Sequence, residues 1–116
     1  MILALAKRFV LGEHDASMLT ADEINRSLKV YLGSENGGYQ PAGDHDARLL
    51  IAFPKDYELR RVMIDKYLAE DFGLQFSSPS LSEAAHLFAE RLRAKYPELD
   101  SISCAGLANR FAYSWK

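Results

Sequence analysis

Apolar residues recur at helical spacing along most of this chain, and glycines, prolines and polar clusters divide them into short blocks. Ile2, Leu5, Ala6, Phe9 and Val10 fall on one side of a first helix over 2–11, and Gly12 stands just past its end, where glycine usually closes a helix. Thr20 and Glu23 form a capping box, so a second helix is predicted over 21–32, with Ile24, Leu28, Tyr31 and Leu32 inward and Gly33 as terminator. Residues 57–72 place Leu59, Val62, Met63, Tyr67 and Leu68 on one stripe, opposite Arg60, Arg61, Asp65, Lys66 and Glu70, with Gly73 as the stop. A second capping box, Ser80 with Glu83, opens a helix to about Lys95 whose core line is Leu81, Ala85, Phe88 and Leu92. Asp100 or Ser101 starts the last one, with Cys104, Leu107, Ala108, Phe111 and Trp115 on one face.

Between Gly33 and Asp46 the pattern breaks. GSENGGYQPAGDHD is a loop of about fourteen residues without periodicity, read either as a surface excursion or as a binding loop with Tyr39 at its tip. The block that follows, RLLIAFP at 48–54, is short enough for a buried strand or a helix, and Pro54 ends it either way. Asp44 or Asp46 can cap a helix there, and GLQF at 73–76 is the only candidate partner strand, so a short helix is expected. A strand would make the fold α+β, with a small sheet using residues 48–53 and 73–76. The expected fold is all-α: one domain over 1–116, a compact bundle of five or six short helices.

Composition narrows the function classes. At 116 residues, 48% hydrophobic and 26% charged, the chain supports one core and is not disordered; it folds alone or as a small oligomer, a homodimer among them. Fourteen basic residues face sixteen acidic ones, and neither half is a basic arm, which argues against nucleic acid as a partner. Cys104 is the single cysteine, so a reducing, cytoplasmic setting fits. MILALAKRFVL is interrupted by Lys7 and Arg8 and lacks a cleavage site, so it reads as neither signal peptide nor membrane span.

One motif is repeated: GEHDASML at 12–19 returns as GDHDARLL at 43–50. Similarity continues weakly into EINRSLKVYL and ELRRVMIDKYL, consistent with an internal helix-pair duplication, but no third unit follows and an α-solenoid is not supported. One reading makes each octet a helix beginning, with Gly turning the chain and the acidic residues capping it. The other brings His14, Asp15, His45 and Asp46 together around a divalent transition metal, since imidazole and carboxylate ligands suit zinc, manganese or iron. Paired His-Asp dyads on helices resemble the metal elements of the HD-type phosphohydrolases, which implies a metal-dependent hydrolase. The resemblance covers two dipeptides, without a separate upstream His and downstream Asp. His86 has no Cys or His at ligand spacing.

A second candidate surface lies on the last helix, opposite Trp115: Gly106, Asn109, Arg110 and Tyr113. Glycine inside a helix costs about 1 kcal/mol relative to alanine, so something packs closely at Gly106, either a partner or a helix of the same domain. Tyr and Arg are frequent interface anchors. A DNA-reading alternative uses the last two helices with Arg91, Arg93, Lys95, Arg110 and Lys116, but their link is long and Glu83, Glu90, Glu98 and Asp100 dilute the field. No residue set completes a nucleophile, base and oxyanion arrangement, a phosphate loop or a dinucleotide fingerprint, so no catalytic residue and no cofactor are expected. The expectation is a small non-enzymatic cytosolic protein that binds another protein as adaptor, inhibitor or immunity-type factor, with the metal-dependent hydrolase and the DNA-binding regulator as alternatives.

Overall fold

The structure, a computed structural model, describes residues 19–34, 39–74 and 80–114. It is all-helical over these residues: α1 (Ala21–Leu32), α2 (His45–Ala52), α3 (Tyr57–Leu68), α4 (Leu81–Lys95) and α5 (Ser101–Ser114). The helix expected over 2–11, the first His-Asp octet up to Met18, and Trp115 and Lys116 lie outside the described residues.

α1 is the hub, packing against α2, α3 and α5, while α4 lies along α5 and α2 touches α3. Its start is fixed by the full capping box: the Thr20 hydroxyl accepts from the Glu23 N–H, and the Glu23 carboxylate accepts from the Thr20 N–H at 2.9 Å. Its end is fixed by Gly33 at φ +66°, where a Cβ would meet the Gln40 side chain at 2.7 Å, and by the Ser34 N–H donating to the Lys29 carbonyl at 2.9 Å. Buried Asn25 then ties α1 to the α4–α5 link. Its amide donates to the Glu98 carbonyl at 2.9 Å and its oxygen accepts from the Asp100 N–H at 2.8 Å, satisfying both ends of the side chain.

The core is one continuous cluster in which Leu28, Leu32, Leu49, Met63, Ile64, Tyr67, Phe88, Leu92, Cys104, Leu107 and Phe111 are all buried. Phe88 and Phe111 stack at 4.5 Å between α4 and α5, and Phe72 meets Phe88 edge-on. Tyr67 and Tyr96 cross edge-on at 4.9 Å, and the Tyr67 hydroxyl donates to Glu98. Burial pushes the Cys104 thiol up, so this cysteine is a core residue rather than a nucleophile.

The small-sheet alternative is excluded: residues 48–52 are helical and no strand occurs among the described residues. Three further expectations change register. First, α3 stops at Leu68, not at 72, because Phe72 (φ +55°) and Gly73 (φ +69°) turn the chain and let Phe72 and Leu74 reach the core. Second, α3 buries Arg60, Met63, Ile64 and Tyr67, while Val62 is exposed. Arg60, only 6% exposed, is accommodated because its guanidinium lies 3.8 Å over the Phe53 ring, bonds Ser27 at 2.8 Å and pairs with Asp56 at 3.0 Å. Third, α4 buries Ala84 rather than Ala85, with Leu81 half-buried. Ser80 accepts from the Glu83 N–H, giving one half of the expected capping box.

Candidate functional site

The second octet is a helix beginning. Gly43 takes φ +92°, and the Asp44 carboxylate accepts from the Ala47 N–H at 3.0 Å, so Asp44 and not Asp46 is the cap. That frees the following His45 and Asp46 to join α2 to its neighbours. Asp46 accepts from the Tyr57 hydroxyl at 2.8 Å and from Arg61 at 2.7 Å. The Tyr57 hydrogen bond, then Arg61, hold its carboxyl below the ordinary aspartate range against the opposing effect of burial, and the same bond raises the Tyr57 hydroxyl. Arg61 also pairs with Asp65 and lies 4.9 Å over the Tyr31 ring.

His45 faces the C-terminal end of α1. Its Nδ1 lies 2.7 Å from the Tyr31 carbonyl and 2.6 Å from an Arg48 guanidinium nitrogen. Arg48 donates to three carbonyls, Tyr31, Gln40 and Ala42, each at 3.2 Å. It thereby satisfies a terminal carbonyl of α1 and straps the loop back onto the helix, with its charge at the negative end of the α1 dipole. Strapped in this way, Tyr39 stacks on the His45 ring at 5.7 Å, and His45 in turn meets Tyr31 at 5.2 Å.

On its other side Tyr39 meets Tyr113 edge-on at 5.8 Å. Two tyrosines 74 positions apart in the chain thus share one surface. Together with Leu81 at the start of α4 and with Asn109 and Ala112 on α5 they line an open groove of about 310 Å³. Tyr113 is 56% exposed there, Asn109 is exposed and Arg110 is half-buried beside it. Gly106 belongs to a different surface: it is buried, and a Cβ on it would stand 2.6 Å from the Ser34 hydroxyl and 3.3 Å from Leu32. It allows α5 to approach the end of α1, which is the within-domain reading of that glycine.

Of the proposed metal ligands, His14 and Asp15 lie outside the described residues. His45 and Asp46 are committed to Tyr31, Arg48, Tyr57 and Arg61, and no group of three His, Cys, Asp or Glu side chains that could hold an ion occurs among the described residues. His86 is exposed and pairs with Glu90. Of the cations offered for DNA, Lys95 is paired with Glu70 at 2.6 Å; burial opposes the charge on Glu70, but Lys95 and Tyr96 together hold that carboxyl low. No helix among the described residues is long and apolar enough to cross a membrane.

Sequence reasoning missed His45 as a stacking platform and Arg48 as the strap. The only signal for Arg48 was a lone basic residue one turn after a capping aspartate, which is common on any helix. No family model, no curated protein and no solved structure matches the chain.

Proposed function

We propose that this protein is a small non-enzymatic binding factor that engages another protein through the groove between Tyr39 and Tyr113, as an adaptor, inhibitor or immunity-type factor. The observation that carries the reading is the Tyr39–Tyr113 contact, which leaves two aromatic rings side by side in an open groove with Tyr113 more than half exposed. Rigid tyrosines present a large amphipathic area at small entropic cost, which is why they anchor interfaces. Asn109 supplies a polar group to the same groove, and Arg110 follows it on α5. A single cysteine that is buried in the core suits a reducing compartment such as the cytoplasm.

A photo-crosslinking residue in place of Tyr113 is expected to capture one defined partner that the same residue in place of exposed His86 does not. Arg110→Ala with Tyr113→Ala is expected to leave thermal stability nearly unchanged and to weaken binding of that partner by tenfold or more, about 1.4 kcal/mol or above. Equal capture from both positions, or an unchanged affinity in the double variant, removes the groove as the binding face.

A further inference from the structure

We propose that the outer face of α2 is a self-association surface, through which two copies of this chain pair. α2 reads HDARLLIA, apolar around most of its circumference from Ala47 onward, yet it buries only Leu49. Leu50 is 48% exposed and Ile51, pointing away from the core, is 80% exposed. Leu50, Ile51 and Ala52 are thus left exposed, and among the described residues only α1 and α3 lie against α2. Among the described residues, three of the five large exposed hydrophobic residues, Leu50, Ile51 and Val62, belong to α2 and α3.

The charges beside this face fit a second copy. Leu50, Pro54, Tyr57 and Leu59 line a groove of about 420 Å³ together with Lys55, Asp56 and Glu58. Asp56 is held by Arg60, and the Tyr57 hydroxyl by Asp46. Lys55 and Glu58 are exposed and have no ionic partner among the described residues. A cation and an anion three positions apart are self-complementary under a two-fold axis: Lys55 of each copy meets Glu58 of the other, and Ile51 and Leu50 are buried between them. This groove shares no lining residue with the tyrosine groove, whose Tyr39 stacks on His45 at the opposite end of α2.

Sedimentation of the full chain over a micromolar concentration series tests this. The wild type is expected to pass from the 13.0 kDa monomer to a species of twice that mass. Ile51→Glu is expected to weaken pairing by about thirtyfold or more, the size of a hot-spot loss, with an unchanged monomer Tm because the side chain is already exposed; Ile51→Ser serves the same purpose should the glutamate lower Tm. Lys55→Glu or Glu58→Lys alone is expected to weaken pairing by about tenfold, and the double reversal to return it to within about threefold of wild type. A wild type that stays monomeric throughout, an Ile51 variant that pairs as the wild type does, or a double reversal as weak as its single parents each overturns the proposal.

Discussion

The two exposed faces of this protein arise in opposite ways. The face on α2 is made of consecutive residues of one helix, Leu50 and Ile51, with the charges that flank it a few positions further on. The groove at the other end is assembled from a loop, the start of α4 and the end of α5, and it exists only because Arg48 straps the loop and Gly106 lets α5 come close to α1. The first is local and survives as long as α2 does. The second depends on contacts between segments far apart in the chain, so it is the more fragile of the two.

The strongest way to break that asymmetry is Gly106→Val. Its branched side chain has to displace Ser34 and Leu32, and overpacking of this kind costs about 2–3 kcal/mol. Chemical denaturation should register that loss, with Ser34→Gly in the same chain recovering part of it, and partner binding at the groove should fall while self-association persists. An additive double variant contradicts the direct contact. Next in size is Arg48→Met, which keeps the packed stem and removes the donors to the Tyr31, Gln40 and Ala42 carbonyls. A loss of about 1–2 kcal/mol is expected, together with faster amide hydrogen exchange at Gln40, whose N–H donates to the Leu32 carbonyl at 3.0 Å.

Asp46 gives a pH test of the α2–α3 junction. Its folded-state pKa is lowered, so the stability it contributes is present above the ordinary aspartate value of 3.8 and is lost as pH falls through the lower folded value. Asp46→Asn should therefore lower Tm near neutral pH by an amount worth at most about 1 kcal/mol, since the side chain is about half exposed. The gap from wild type should close as pH drops below about 4; a gap that holds in acid assigns the loss to packing. Smallest of all is Tyr113→Ser, expected within about 0.5 kcal/mol of wild-type stability. A larger fall shows that the Tyr39–Tyr113 contact supports the fold rather than a partner.

Much of the helical framework was legible because it rests on short-range chemistry. Thr20 with Glu23, Asp44 before Ala47 and Gly33 at a left-handed position each act within four residues. RLLIAFP resolved as a helix for the same reason: a cap stood ahead of it, and no partner strand occurs among the described residues. The errors fell where a long-range partner decides. Arg60 looked solvent-facing by periodicity, but Ser27 and Phe53, which satisfy it in the core, are 33 and seven positions away. Gly106, Asn109, Arg110 and Tyr113 share a helix, yet the helix rotates Gly106 inward against Ser34 and leaves Tyr113 for Tyr39. Tyr39 was visible as a loop tip; its stack on His45 was not.

By itself the sequence determined that this chain forms short capped helices with enough apolar stripe for one core, because caps and periodicity act over a turn or two of backbone. Only the tertiary structure decided which side of α3 turns inward, that the histidine and aspartate of the second octet join helices, and that Tyr39 and Tyr113 meet. Those outcomes depend on contacts between segments many residues apart, where the free energy of packing and of satisfying buried polar groups outweighs any preference that neighbouring residues express.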